Sequence, residues 1–411
     1  MLDIGDLAKI VANDAAIRRR QRLQPVGGKG DKIFPPTYPP PDGASRNAPP
    51  RHVYEKRKID GREVWCVLVD SVASQANRLE EALSAAIDEG LVVPHLYVDF
   101  AGKGLTGVDR ISSLRAPHRV YDAILRDSLL DGQPFMRSAI GQRLAAAAPH
   151  DAAALLEVAP TALLFGCWHS TGEGGGLGAK FARCLVSEIV AIDVPVEEIV
   201  NGRTGEVEPR TLGRRVSSRI DPLGILRSVE VYKSPEGWDV TPDKVGRGAK
   251  KVRPSEINHG NIAPSVQPLG ITCDYLEHTF VLSCAALRRL RFGGGARDDA
   301  GRTLLAALGL LAVAEQDARG YALRSRCDLV CEGAAPFEVV KPDGRSEPIA
   351  VTREQARRLY EEAFAGAKEA GLALAEAPIR LEPQDKLVAI VKKSQELALA
   401  GSGGEAEAEE D

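Results

Sequence analysis

Apolar positions recur in two rhythms along the chain. In residues 64–70 (VWCVLVD) they crowd into a β-branched run, which predicts a strand. Over residues 74–90, Leu79, Ala82, Leu83, Ala86 and Ile87 return every three or four positions, which predicts a helix stopped by Gly90. Residues 95–100 (HLYVDF) predict the next strand, so the three elements form a β-α-β unit of the kind that opens ferredoxin-like folds. Ahead of them, residues 4–20 predict a short N-terminal helix. A proline- and glycine-dense arm of extended chain then runs to residue 51.

The rhythm breaks twice, over residues 101–160 and 201–262, and these stretches are predicted to project from the core as finger-like and thumb-like insertions. The first carries helical patches at 119–130 and 137–148. Between the two insertions, residues 162–165 predict a buried strand, followed by a glycine-dense loop that opens into a helix, and residues 188–196 are again apolar. The last third is regular. It holds a strand in 270–283, a basic helix at 285–292, a buried helix at 302–317, a strand region at 321–330 and a hairpin over 337–351 turning at Asp343-Gly344. Thr352 and Gln355 form a capping box for a helix with Ala356, Leu359, Tyr360, Ala363, Phe364 and Ala367 inward. Residues 373–411 predict a C-terminal helix and an acidic, disordered tail. The expected class is α+β, with residues 52–372 as the core and residues 1–51 as helix and arm.

At 411 residues and 44% hydrophobic content the chain can bury a sizeable core. Its longest apolar run, 303–314, is too short to span a bilayer, and the first twenty residues lack an apolar signal core. The expected location is the cytoplasm, with no membrane partner. Seven cysteines, an odd number, are scattered through apolar segments and are expected to be reduced. Neither Cys327 with Cys331 nor Cys167 with His169 has zinc-site spacing, so no metal and no cofactor is predicted. The net charge of −4 owes much to Glu405, Glu407, Glu409, Glu410 and Asp411 in the tail. Between Arg203 and Arg297, by contrast, Lys and Arg outnumber Asp and Glu sixteen to ten, a local basic region.

The glycine-dense loop offers one chemistry. Gly174, Gly175, Gly176 and Gly178 let a phosphate approach the main chain, His169 and Ser170 stand at its start, and Lys180 and Arg183 add charge one turn into the predicted helix. Gly174, Gly176 and Ala179 fit a dinucleotide fingerprint with Asp193 downstream, whereas the Walker A pattern fails. This leaves a nucleotide-dependent enzyme as the alternative function. The stronger signal is GRRVSSRIDP. Arg214, Arg215 and Arg219 supply forked donors and Ser217 and Ser218 hydroxyls, in proportions that suit phosphate and ribose oxygens. Lys250, Lys251 and Arg253 extend the basic character, and His259, flanked by Asn258 and Asn261, offers further hydrogen bonds. Gln75, Asn77 and Arg78 sit at a strand-to-helix junction, where they cap the helix or reach a ligand. No G-x-S-x-G motif or carboxylate cluster is present, so no catalytic residue is predicted and RNA or DNA backbone binding is favoured.

Five strings carry a family resemblance: IDGREVWCVLVDSVASQANRLEEAL, LLFGCWHSTGEGGGLGAKFARCLVSEIVAIDV, GRRVSSRIDPLGI, PSEINHGNI and LSCAALRRLRF. Together, over residues 52–330, they resemble the backbone subunit of the type I-U (I-G) CRISPR Cascade complex, of the RAMP superfamily. The resemblance implies an RRM-like, ferredoxin-type core with large insertions. It also implies several copies lined along one CRISPR RNA with other Cascade subunits, holding the guide for pairing with target DNA while a separate helicase-nuclease cuts. The aromatic strings of an ordinary RRM are missing, so backbone contacts should dominate over base stacking on the sheet.

Overall fold

The computed structural model describes residues 2–40, 50–169, 178, 180–200, 205, 207–219, 229–257, 259 and 262–401. Gly174, Gly175, Gly176, Ser170, Asn258, Asn261 and the tail from 402 lie outside them, as do the side chains of Ser217, Ser218 and Arg219. The architecture is mixed α and β, organised on one nine-stranded sheet.

Helix α1 (Ile4–Asn13) starts at Asp3, whose side chain accepts from the Asp6 N–H, and it ends at Asp14, where the backbone is extended. The helix expected to reach Arg20 therefore stops early. Strand β1 (Ala16–Pro25) follows and lies inside the sheet. The alternation that makes it a strand is concealed because its inward positions are Ile17, Arg19, Gln21 and Leu23, two of them polar. Arg19 is tolerated there because both its terminal nitrogens bond the Asp317 carboxylate.

Strands β2 (Tyr54–Ile59) and β3 (Arg62–Asp70) form a hairpin, and α2 (Val72–Asp88) follows with Leu79, Ala82, Leu83 and Ala86 buried. Ser71 caps α2, and Gly90 ends it with φ +99°. The remaining strands are β4 (Leu185–Ile192), β5 (Tyr275–Ser283), β6 (Tyr321–Ala322), β7 (Asp328–Cys331), β8 (Phe337–Val340) and β9 (Ser346–Ile349). Their order is β6-β7-β1-β5-β4-β3-β2, with β8 also on β1 and β9 on β8, every pair antiparallel.

Helix α3 (Ala296–Arg319) covers one face of the sheet, packed against α1, α2 and α4 (Arg353–Glu369). It is buried from Gly301 to Gln316, and each fully buried leucine there contributes about 1.5–3 kcal/mol over an exposed one. The Thr352–Gln355 capping box opens α4. Arg353 and Arg357 reach back from α4 to Glu315, which is fully buried, and to Glu89 at the end of α2, which Arg319 also pairs. One carboxylate cluster thus pins three helix ends. No described helix is long and apolar enough to cross a membrane.

Other expectations are corrected along the chain. The strand predicted at 95–100 forms as Leu96–Asp99 but leaves the main sheet for a second, five-stranded one. Residues 101–160, expected to project, instead put Leu114, Val120, Leu125, Phe135, Leu144, Leu155 and Leu156 into the main core. The run at 162–165 is a helix (Thr161–Phe165) buried on every side, which leaves no periodicity to distinguish it from a strand. Beyond the glycine-dense loop the chain forms a strand, Lys180–Phe181, rather than a helix. The basic helix at 285–292 shortens to Cys284–Leu287. Residues after 373 hold a strand, Ile379–Pro383, before the terminal helix Asp385–Gly401.

Candidate nucleic-acid interface

The GRRVSSR segment starts from a fixed point. A Cβ on Gly213 would collide with the Gly270 carbonyl oxygen, so only glycine permits this approach. Thr211 Oγ1 donates to the same carbonyl and accepts from the Gly213 N–H at 3.0 Å. Arg214 follows, exposed, with its guanidinium folded onto the Thr211 and Gly213 carbonyls, both at 3.0 Å. Arg215–Arg219 then pairs antiparallel with Ile262–Gln267, and at the start of this ribbon Val216 (67% exposed) lies opposite Val266 (65%).

A small antiparallel sheet stands next in the chain, from Val231–Ser234, Gly237–Asp239 and Lys250–Val252. Lys250, Lys251 and Arg253 are exposed. Lys251 is paired with Glu230, which holds that carboxylate below its usual range. The Arg253 N–H bonds Glu256 Oε1 at 2.9 Å, and the His259 ring lies 5.3 Å from that of Trp238.

A third group lies at the hairpin Cys167–Trp168 with Lys180–Phe181. Buried Phe181 anchors it, while Trp168, 54% exposed, has the Lys180 ammonium 5.6 Å from its ring centre. His169 is stacked on Tyr121 at 4.7 Å, and burial, helped by Arg126, lowers its pKa. A Cβ on Gly178 would collide with the His169 carbonyl oxygen, so the bare face of that glycine is filled by its own hairpin. With a strand at Lys180, no helix start follows the loop, and the strand-loop-helix arrangement that a phosphate loop requires is not formed. Arg183 is exposed beyond the hairpin. Arg119 braces it, with both nitrogens on Glu80 at 2.9 Å and a third bond to the Gly166 carbonyl.

Gln75 and Arg78 stand apart from these groups. Gln75 is fully buried and donates to Asp70 at 2.6 Å, and Arg78 bonds Asp70 and the Leu323 carbonyl. Both are spent inside the fold, and the cap is Ser71; Asn77 is exposed.

Three arginines carry a surface that sequence pattern did not single out. Arg18, Arg20 and Arg22 alternate on the outer face of β1 and line a groove of about 390 Å³. Period-two spacing in IRRRQR was the available signal. Arg18 pairs with Glu338 at 2.6 Å and Arg20 with Glu277 at 2.8 Å, while Arg22 lies over the Tyr275 ring at 4.1 Å. Asp60, Glu277 and Glu338 thus balance the charge there, and the groove is a weaker phosphate surface than its arginines suggest.

Residues 17–196 match the family model described as CRISPR-associated protein GSU0053. The likeness covers somewhat under half of the 411-residue chain. The matched span runs from β1 through β4, includes the Trp168 hairpin, and ends before Arg214. No curated protein matches the chain.

Proposed function

We propose that this protein is the CRISPR RNA-binding backbone subunit of a type I-U/I-G Cascade complex, a non-catalytic member of the RAMP superfamily. Copies of it line up along one guide RNA, beside other Cascade subunits, and present the guide for pairing with target DNA. The observation that carries this reading is the run of exposed cations Arg214, Lys250, Lys251 and Arg253, on and beside small sheets that follow a span similar to a CRISPR-associated protein. Lys180 and Arg183 add charge on the hairpin side.

The strand order also supports an RRM-like core. Taken along the chain, β1, α2, β4, β5, α3 and β7 with β8 follow a β-α-β-β-α-β sequence. In the sheet they stand fourth, first, third, second, with the β2–β3 hairpin inserted after the first strand and added at one edge.

The test is direct. Protein purified from a host carrying a matching CRISPR array should hold nuclease-sensitive RNA absorbing near 260 nm, and RNA-free protein should bind guide RNA with a strong salt dependence. Protein that arrives clean, ignores RNA and binds ATP or NAD instead would overturn this reading in favour of a nucleotide-dependent enzyme.

A further inference from the structure

Trp238 lies directly opposite Lys233 on the neighbouring strand, and Lys233 lies opposite Lys250 on the third. Residues paired in this way project from one face, so the three form a row across the small sheet. The His259 ring closes the tryptophan end, tilted 60° at 5.3 Å. Lys233 donates to the Glu256 carbonyl at 3.3 Å, which keeps its ammonium beside the same segment. Trp238 is 51% exposed and Lys250 is exposed. The opposite face differs, since the row there reads Asp239, Tyr232, Lys251, with Lys251 already paired to Glu230. One face therefore sets an exposed indole in line with two lysines, Lys250 being exposed, and the other carries Lys251, already paired to Glu230.

We propose that the Trp238–Lys233–Lys250 row is a stacking platform for single-stranded RNA, in which one unpaired base lies on the indole and the adjoining phosphates meet the lysines. This rests on the RNA-binding reading above and gives it a mode that the basic residues alone do not supply. Strands lie about 4.8 Å apart, so both ammoniums fall within reach of the backbone of a base stacked on Trp238. An indole accepts any base, which suits a subunit that must hold unrelated guides. Charge selects the occupant, because a phosphate chain complements the two lysines as an apolar protein surface does not.

Oligouridylate RNA and an abasic chain of equal length separate stacking from charge. Trp238→Ala should weaken oligouridylate binding on the order of 10-fold and leave abasic binding unchanged, while Trp238→Phe keeps most of the affinity. Lys250→Ala should weaken both chains alike. Circular dichroism of each variant checks folding, and Trp238→Phe keeps the test valid if the alanine variant misfolds. Wild-type protein that binds RNA while Trp238→Ala and Trp238→Phe bind both chains as tightly would overturn the platform and leave the RNA-binding reading standing. A Trp238→Ala variant altered only in self-association would make the row a protein contact and equally overturn it. Wild-type protein that binds neither chain would remove the functional reading and the platform with it.

Discussion

His278 Nε2 lies 2.7 Å from Ser187 Oγ in the middle of the sheet's helix-covered face. Its Nδ1 lies 3.0 Å from the Tyr321 hydroxyl, which bonds Asp317, the partner of Arg19. In the other direction Ser187 donates to Gln75 at 3.1 Å, and Gln75 to Asp70. A chain of polar side chains thus crosses β1, β5, β4 and β3 beneath α2 and α3, each within hydrogen-bonding distance of the next.

Breaking that chain should cost stability. His278→Ala leaves Ser187 and Tyr321 buried without a shared partner and should destabilise the fold by roughly 2–4 kcal/mol in urea unfolding. A loss below about 0.5 kcal/mol would mean the neighbours re-pair.

Acid should act through the same residue. Burial, together with the nearby Arg19 charge, pushes the His278 pKa down to about 3 from 6.5. Between those values the unfolded chain takes up a proton and the folded chain does not, so stability falls as pH drops through that window. The slope from this group should approach about 1.4 kcal/mol per pH unit, and His278→Gln should flatten the unfolding profile between roughly pH 6 and pH 4 relative to wild type. Parallel profiles would show that the histidine does not resist protonation.

The Glu80–Arg119 pair joins α2 to the segment that carries Tyr121 and, through Gly166, to the Trp168 hairpin. Both side chains are buried, so removing one strands the other's charge. Arg119→Ala should cost about 3–5 kcal/mol and should also shift Trp168 fluorescence, as the hairpin loses its brace. An unchanged emission spectrum with the stability loss would separate the pair's structural part from its hold on the hairpin.

Salt titrations address the basic sheet. Replacing Lys250, Lys251 and Arg253 with alanine should flatten the slope of log K against log salt by about 0.7 for each phosphate no longer neutralised, whatever the guide sequence. An equivalent triple change at Arg214, Arg215 and Arg219 measures the ribbon's share. Equal slopes in variant and wild type would place the RNA elsewhere.

The two irregular regions should also differ toward protease. Residues 101–160 feed Phe135, Leu125 and Leu144 into the core, whereas around residues 200–240 Val200, Val207, Leu212, Val216, Trp238 and Val240 are exposed. Trypsin should cut first near Lys233, Arg247 or Arg253. Early cleavage at Arg119 or Arg126 would contradict the packing.

Elements with an uncompromised rhythm were legible in the sequence. Leu79 to Ala86 mark α2, Thr352 and Gln355 mark the start of α4, and residues 64–70 mark β3. Rhythm failed where tertiary partners overrode it. Arg19 and Gln21 face inward on β1 only because Asp317 and the Gly333 carbonyl wait for them, and no local pattern announces a partner some three hundred residues away. The same limit applied to the site. Arg214, Lys250 and Arg253 were visible as charge, but Gln75 and Arg78 proved to be committed to Asp70, and Trp238 gained its meaning only from the strand register that sets it beside Lys233.

The strand Ile379–Pro383 lies between Leu96–Asp99, to which it is parallel, and Ser128–Leu130. A ribosome making this chain emits the two outer strands long before the one that joins them. Until residue 383 has left the exit tunnel, Leu96 to Asp99 and Ser128 to Leu130 each present an unpaired edge, open to the same edges on a nascent neighbour. Polysomes reading one message bring such neighbours together. The protein is therefore committed to a late closing step, and its yield should depend on how well the cell shields those edges during the wait.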